Sequence, residues 1–213
     1  MAKLLVIGGS KGIGREVVLR ALEQGHSVRA FARHPEGIKH DHPELELVAG
    51  DALDPAAVAQ ALEGCDAVVS ALGIPKSIPA LARPTTVFSD ATAVLIPAME
   101  AAGIKRLLVV TGFGAGESNA AMSTLERMGH SAILGRAYAD KAVQEDMIKA
   151  SGLDWTIARP GILSNNRRTG VYRVLTEPSD WRNGIISRAD VADFIVTAWE
   201  EGSHIHAAPV LVR

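Results

Sequence analysis

The chain has 213 residues, of which 47% are hydrophobic, and its formal net charge is −2 at pH 7. A chain of this length buries a substantial core, and the length suits one domain better than two. The charges are balanced, with no basic cluster of the kind that nucleic-acid-binding proteins carry. We therefore expect a small-molecule partner and no nucleic acid.

Signals for export or membrane insertion are not evident. The first apolar run, residues 4–7, is followed at once by glycine, and no stretch approaches the roughly 20 apolar residues of a membrane span. The single cysteine, Cys65, excludes an internal disulfide framework. These features predict a cytoplasmic protein without a membrane partner.

The amino terminus combines an apolar run, a glycine-rich run and a helical pattern. Residues 4–7 are typical of a buried strand, and the apolar spacing over 15–24 predicts a helix. Glycines in the turn between them let it close tightly, let a phosphate approach the backbone and let the helix pack closely. First-turn amides then hold a pyrophosphate, although an ordinary glycine-rich turn is the alternative. The predicted cofactor contacts here are Gly8, Ser10, Lys11, Gly12, Ile13 and Gly14.

Apolar runs alternate with helical patterns along the rest of the chain. Further strands are predicted at 27–32, 45–49, 67–71, 106–110, 155–158 and 209–212. Helices are predicted at 55–62, about 86–102, about 137–150 and 189–200, with Asp54 and Ser187 as caps. This alternation predicts an α/β fold of the Rossmann type: a doubly wound parallel sheet in a three-layer αβα single domain over 1–213. The ligand crevice lies at the carboxyl ends of the strands.

Two weakly patterned segments are predicted as small insertions that cover this crevice. They span about 112–136, which is rich in Gly, Ala and Ser, and about 162–185. We interpret the first as a mobile flap, with Phe113 as the first aromatic candidate to line an acceptor site.

The residue after the second predicted strand bears on cofactor choice. An acidic residue there binds the ribose 2′-hydroxyl of NAD, but this chain has Arg33. A guanidinium fits a 2′-phosphate through paired hydrogen bonds, so NADP (NADPH) is favoured over NAD. A solvated surface arginine is the alternative.

Other candidates follow the remaining strands. Asp51 is placed to accept from the adenine amino group, with Ala52 lining the ring pocket, although both also suit a plain turn. Thr111 is balanced between a site residue and a strand-end cap, and the rigid Pro160 is expected to fix a loop against the nicotinamide. The remaining predicted cofactor contacts are Ala71, Leu72, Gly73, Gly161 and Ile162.

Several motifs resemble the atypical short-chain dehydrogenases/reductases over essentially the full length. They are residues 8–14, Gly50-Asp51, 138–141 followed by Glu145, 151–156 with Arg159-Pro160-Gly161, and 187–192. Residues 83–87 and 169–172 are similar to the flavin reductase and biliverdin IXβ reductase branch. That resemblance implies NADPH-dependent hydride transfer to flavins or linear tetrapyrroles in one compact, often monomeric domain. A monomer or weak homodimer is expected.

The chain also departs from the family pattern. Lys11 replaces the usual glycine of the atypical group, and Thr111 stands where the flavin/biliverdin branch often has serine. The larger group has a Tyr/Lys proton-donor pair four residues apart, whereas Tyr138 and Lys141 are three apart, with Ala137 at the tyrosine position. Both still share a helix face, but a surface tyrosine is the favoured alternative for Tyr138.

These observations lead to one mechanism and two competitors. The hypothesis is hydride transfer from NADPH to a planar conjugated acceptor, such as a flavin, a biliverdin-like tetrapyrrole or a quinone, with Thr111, Tyr138 and Lys141 as catalytic candidates. The acceptor takes its proton from water; if the protein supplies an acid, Tyr138 is the first residue to test. A non-catalytic, NADP-binding redox sensor of the NmrA-like kind is the first alternative. A sugar-nucleotide epimerase or dehydratase is the second, although it needs the Tyr/Lys pair and a larger substrate lobe.

The histidines do not predict a metal site. They form two groups, His34, His40 and His42 in one loop and His204 with His206 near the last strand, without the ligand spacing of closed zinc sites. Solvated loop histidines are expected, and no metal. Cys65, beside Asp66, is expected to be a small buried residue.

Overall fold

The computed structural model describes residues 2–73 and 85–213, with residues 124–134 described by their backbone alone. The strands are β1 (Lys3–Ile7), β2 (Ser27–Ala32), β3 (Leu45–Ala49), β4 (Ala67–Ser70), β5 (Arg106–Val110), β6 (Asp154–Pro160), β7 (Ile162–Ser164), β8 (Arg173–Leu175), β9 (Ile185–Ser187) and β10 (Val210–Val212). Eight of them form one sheet in the order β3-β2-β1-β4-β5-β6-β10-β8, and β7 and β9 form a separate parallel ribbon. The predicted Rossmann-type, doubly wound sheet is confirmed. One edge differs from the prediction, because β8 runs antiparallel to β10.

Five helices cover the two faces of the sheet in the described residues. They are α1 (Gly12–Glu23), α2 (Pro55–Leu62), α3 (Val87–Ala101), α4 (Thr124–Ala150) and α5 (Arg188–Glu200). α1 packs against α5 on one face, whereas α2, α3 and α4 pack together on the other. Because side chains alternate along a strand, β1 contributes Leu4 and Val6 to one core and Leu5 and Ile7 to the other. This is the predicted αβα layering.

Helix starts follow the cap chemistry where the sequence offers it. Asp54 accepts from the amide of Ala56 at 2.9 Å, and the Ser187 hydroxyl accepts from the amide of Asp190 at 2.9 Å. Both predicted caps are therefore confirmed. No described helix is long and apolar enough to span a bilayer.

α4 begins at Thr124 and not near residue 137. Gly129 and Gly135 lie inside it, and glycine weakens a helical pattern at the sequence level, which explains the late predicted start. β6 is likewise longer than predicted and includes Arg159 and Pro160. Pro160 is the buried last residue of this strand, and its expected role in fixing the following loop against the nicotinamide stays a prediction.

The first part of the predicted flap belongs to the core. Phe113 is 4% exposed and packs in a small apolar cluster with Met122, Leu175, Val210 and Val212. Residues 116–121 form a 3-10 turn against α4. Phe113 is therefore a core residue and does not line an acceptor site, whereas the flap over about 112–136 stays a prediction. Arg83 and Pro84, which carry part of the family resemblance, lie outside the described residues.

Candidate functional site

The glycine turn between β1 and α1 has the geometry of a phosphate cradle. Gly8 has φ +83°, and a Cβ there would come within 2.7 Å of the carbonyl oxygen of Ala71. A Cβ at Gly14 would overlap the carbonyl of Gly8, so α1 closes tightly on the turn. Gly12, with φ +63°, faces open space. The three predicted glycine roles, a tight turn, an open approach and close packing, are each matched by a contact or a gap.

The amino terminus of α1 is free to hold an anion. Lys11 precedes it with extended backbone, and no described side chain caps it or places an acidic group in its first turn. The first-turn amides and the helix dipole therefore face the open side of Gly12 without a competing acceptor. The residues present thus fit a dinucleotide pyrophosphate. Beside them, Ser10 and Ile13 are half-buried and Lys11 is exposed.

Arg33 lies one residue beyond the end of β2 and is exposed. Among the described residues it has no ion-pair partner. β2 is paired with β1, so Arg33 emerges at the same edge of the sheet as the glycine turn. A free guanidinium at this place fits the extra phosphate of NADP.

The next two strand ends complete the same edge. Asp51 follows β3 and is exposed, and its Oδ1 accepts from the amide of Leu53 at 3.1 Å. Ala52 packs partly against the core. After β4, the amide of Ala71 donates to the carbonyl of Ile7 at 2.9 Å, which brings this chain end against the glycine turn. Leu72 is half-buried and Gly73 is exposed, and the cofactor roles of these residues stay predictions.

A buried ion pair lies beneath the ends of β5 and β6. Glu145 and Arg159 are both 0% exposed, and the guanidinium binds both carboxylate oxygens, with Nε 3.1 Å from Oε1. The Thr111 hydroxyl donates to Glu145 Oε1 at 2.7 Å. Lys141 Nζ donates to the Thr111 carbonyl at 2.5 Å. We call Thr111, Lys141, Glu145 and Arg159 the Glu145 cluster; it joins β5 and β6 to α4.

This arrangement changes the expectation for Thr111. Its hydroxyl is bonded to a buried carboxylate, and the residue is 4% exposed, so it behaves as the strand-end alternative that the sequence left open. Its carbonyl in turn holds the ammonium of Lys141. Thr111 therefore binds Glu145 through its hydroxyl and Lys141 through its carbonyl, and its role in catalysis stays a prediction.

Tyr138 and Lys141 both lie beside the end of β5. A Cβ at Gly112 would overlap the phenol oxygen of Tyr138, so the phenol packs against the backbone and the residue is half-buried. Burial raises the pKa of Tyr138 to about 12. Burial also lowers the pKa of Lys141 to about 8, although Glu145 and Asp140 oppose that shift. The phenol is thus a weaker acid than free tyrosine, which is the reverse of what a proton donor requires.

Gly161 and Ile162 mark the end of β6. A Cβ at Gly161 would overlap the carbonyl oxygen of Gly184, so the chain passes close to the loop before β9. Ile162 begins β7 and pairs with Ile185 of β9, and the two side chains are 57% and 58% exposed. This apolar pair lies at the carboxyl end of β6. The nicotinamide, and an acceptor that receives its hydride, are expected at this strand end.

Glu145 and Arg159 lie beneath the candidate site, and the sequence analysis assigns no role to either residue. A signal existed, because Arg159 ends an apolar strand and Glu145 lies four residues after Lys141 on one helix face. Only the fold brings the two side chains together, since β6 and α4 are separate elements.

The remaining titratable candidates lie elsewhere. Among the described residues no group of three or more His, Cys, Asp or Glu side chains is arranged to hold a metal ion. His206 contacts the carbonyl of Leu153 and the ring of Trp155. Cys65 is 8% exposed, and burial raises the pKa of its thiol, so the expectation of a small buried residue is confirmed.

Comparisons with known proteins agree with this geometry. A family model described as NAD(P)H-binding matches residues 8–201. YhfK of Bacillus subtilis, named an uncharacterized sugar epimerase, is 31% identical over 206 residues, which are 93% of this chain and 88% of the relative. ChuY of Escherichia coli O157:H7, described as an anaerobillin reductase, is 25% identical with a TM-score of 0.81, over 99% and 96% of the two chains.

One further solved structure bears on the fold alone. It is a short-chain dehydrogenase/reductase from Veillonella parvula in complex with NADP, 16% identical with a TM-score of 0.81, over 100% of this chain and 94% of that one. Together with the glycine turn, the family match over most of the chain decides the assignment. The chain belongs to the NAD(P)H-binding family of Rossmann-fold proteins.

Proposed function

We propose that the protein is an NADPH-dependent reductase that transfers hydride to a planar, conjugated acceptor. The open Gly12 turn in front of the uncapped α1 carries the cofactor part of this proposal. The exposed Arg33, free of ion pairs within the described chain, supports NADPH over NADH. When bound, NADPH supplies a hydride, that is, two electrons and one proton, and the acceptor takes its second proton from water.

The residues near the nicotinamide end support an acceptor that needs no protein acid. Tyr138 holds its proton more tightly than free tyrosine, and Lys141 is held by the carbonyl of Thr111. A conjugated ring system accepts hydride and draws a proton from solvent, so the protein has only to bind and orient it. The exposed Ile162 and Ile185 supply an apolar surface for such a ring. Flavins, biliverdin-like tetrapyrroles and quinones all fit this description.

In this mechanism the Glu145 cluster is a support. Its buried ion pair holds the ends of β5 and β6 at a fixed distance from α4. Lys141 contributes a positive charge next to the crevice, because neutral pH lies below the pKa of this side chain, which is about 8. The turn at Gly8 and Gly12 positions the pyrophosphate, and Arg33 orients the adenosine end.

The names of the relatives point in two directions. The description of ChuY as a reductase favours the proposal, and the name of YhfK suggests a sugar epimerase. An epimerase of this fold must take a proton from a sugar hydroxyl, which calls for a tyrosine of lowered pKa. Tyr138 has a raised pKa and lies three residues from Lys141 instead of four, and both features support the reductase over the epimerase. A redox sensor that binds NADP without turnover is the remaining alternative.

The test is turnover of NADPH with a panel of acceptors. Purified protein is mixed with NADPH and, separately, with flavins, quinones and biliverdin, and the absorbance band of reduced nicotinamide is followed. We expect oxidation of NADPH with at least one acceptor and a lower KM for NADPH than for NADH. Tight NADP binding by calorimetry without turnover of any acceptor would support the sensor instead.

A further inference from the structure

A cleft between α1, α5 and the chain after β7 opens at the edge of the sheet where the parallel strands have their carboxyl ends. It has a volume of about 590 Å³, and its lining begins at Gly12, beside the pyrophosphate turn. Residues 165–168 form one wall, and Arg188 at the start of α5 forms another. The cleft therefore opens next to the cofactor cradle and shares Gly12 with it.

The lining of this cleft is strongly basic. Its arginines are Arg15, Arg20, Arg167, Arg168 and Arg188, against the two glutamates Glu16 and Glu23. With Asp193, which binds Arg20 at 2.9 Å, five positive charges stand against three negative charges and leave an excess of two, on a chain whose overall charge is −2. Such a local concentration of one sign attracts an anion.

Three of the five arginines are already engaged by the protein. Arg20 and Arg168 both bind Glu23, with shortest distances of 3.5 and 2.7 Å. Arg188 donates to the carbonyl of Ser164 at 3.1 Å and to the Asn165 side chain at 2.6 Å, and so shapes the wall.

Arg15 and Arg167 differ from these three. Both are exposed, and neither side chain has a hydrogen-bonding or ion-pair partner in the described part of the chain. Their guanidinium groups retain all their donors, and a guanidinium matches carboxylate and phosphate oxygens in pairs.

The β7–β9 ribbon connects this cleft to the expected acceptor position. Its first pair is Ile162 and Ile185, both exposed, and its last pair is Ser164 and Ser187. The next residues, Asn165 and Arg188, line the cleft. Three residues of strand span about 10 Å. The apolar surface of Ile162 and Ile185 and the basic cleft are therefore separated by about the length of a planar ring system.

We propose that the acceptor carries an anionic group, a phosphate or a carboxylate, on an arm attached to its planar ring. The ring lies on Ile162 and Ile185, and the anion enters the cleft and is bound by Arg167 and Arg15. This inference rests on the proposed reductase function and specifies its substrate class.

The extra phosphate of NADP is not the occupant we assign to this cleft. Arg33 follows β2, which flanks β1 on one side, whereas α5 packs over β5 and β6 on the other side of β1. The adenosine end therefore lies away from the cleft. We therefore assign a second anion, separate from the 2′-phosphate, to the free guanidinium groups.

The experiment compares acceptors that differ only in the anion. FMN is paired with riboflavin, and biliverdin with its dimethyl ester, in steady-state assays with NADPH. Calorimetric titration of the same four compounds into NADP⁺-loaded protein gives a readout that does not depend on turnover. We expect the anionic member of at least one pair to bind about tenfold tighter, because a charge-assisted hydrogen bond to arginine is lost in the neutral member. The flavin pair reports a phosphate arm, and the tetrapyrrole pair a carboxylate arm.

Arg167→Glu tests the assignment within the protein. It should abolish most of the preference for the anionic member, whereas Lys105→Glu, the same charge change at an exposed residue before β5, should leave the preference unchanged. Equal binding of both members of each pair would overturn the inference and leave the reductase function standing. A weakening of NADP⁺ binding by Arg167→Glu, with acceptor preference intact, would overturn it by assigning the arginine to the cofactor. Failure to turn over any acceptor would overturn the function, and the calorimetric preference would still decide the anion site.

Discussion

The surroundings of Arg159 and the basic cleft that contains Arg167 show two different environments for an arginine side chain. Arg159 is 0% exposed, and its guanidinium is bound by Glu145, with the ring of Trp181 5.0 Å from its central carbon. Arg167 is exposed in the cleft, without a partner among the described residues. A buried arginine must have its charge compensated within the protein, which makes it part of the scaffold. An exposed arginine beside other positive charges keeps its donors for a ligand.

The difference lies in the carboxylates, since both regions supply guanidinium groups. Around Arg159 the charges are paired, because Glu145 binds the guanidinium, and Glu117, 3.8 Å from it, also binds Lys149 at 2.5 Å. In the cleft the arginines outnumber the acids, and Glu23 is shared by two of them. Local charge balance therefore distinguishes the buried ion pair from the basic cleft more clearly than residue type does.

The largest effect is expected from breaking the scaffold. Glu145→Gln leaves the buried guanidinium of Arg159 with Glu117 at 3.8 Å as its remaining ion-pair partner. We expect a loss of about 3–5 kcal/mol in the free energy of unfolding, measured by urea denaturation. Glu201→Gln, at an exposed position, serves as the control and should change little. A loss of less than about 1 kcal/mol in the free energy of unfolding would mean that the Glu145–Arg159 pair contributes no more than a solvated surface salt bridge. The contrast between this pair and the basic cleft would then not hold.

Arg33 sharpens the comparison on the ligand side. Arg33→Glu should weaken binding of NADPH at least about tenfold, because a guanidinium–phosphate contact is replaced by repulsion. Binding of NADH should change less, and the unfolding free energy should stay unchanged because Arg33 is exposed. Calorimetry with both cofactors measures this, with Lys39→Glu as an exposed control nearby. An unchanged preference for NADPH would show that Arg33 is a solvated surface residue.

The lowered pKa of Lys141 makes the stability of the protein depend on pH. Its pKa of about 8 in the folded protein lies below the usual 10.5, so between these values the unfolded chain binds more protons. Raising the pH from about 8 should therefore increase the stability of the wild type relative to Lys141→Met, by at most about 1.4 kcal/mol per pH unit. Urea denaturation of both proteins at several pH values measures the difference. A difference that is flat with pH would mean that the ammonium is solvated.

The smallest effect is expected at Tyr138. Its raised pKa makes it a poor acid, so Tyr138→Phe should lower kcat for a flavin acceptor by less than about threefold and leave the KM for NADPH intact. Stopped-flow or steady-state NADPH oxidation provides the measurement. A loss of tenfold or more in kcat would instead assign Tyr138 a catalytic role.

Local patterns predicted the elements that depend on neighbouring residues. The glycine turn, the caps Asp54 and Ser187 and the alternating cores of β1 follow from spacing along the chain. The errors arose where tertiary contacts overrode the pattern. Glycines inside α4 obscured its start, and Phe113, which follows a strand like a crevice residue, is instead covered by Met122 and β10.

The sequence by itself determined the Rossmann-type layering, the family and the place of the cofactor turn, because each depends on periodicity or on a motif of a few adjacent residues. The tertiary structure decided that the Thr111 hydroxyl meets Glu145, that Arg159 is buried with that carboxylate, and that Arg15 and Arg167 share one basic cleft. Those contacts join residues far apart in the chain. Their charge state and availability depend on burial and on which partner lies within a few ångströms, and the order of residues does not encode either quantity locally.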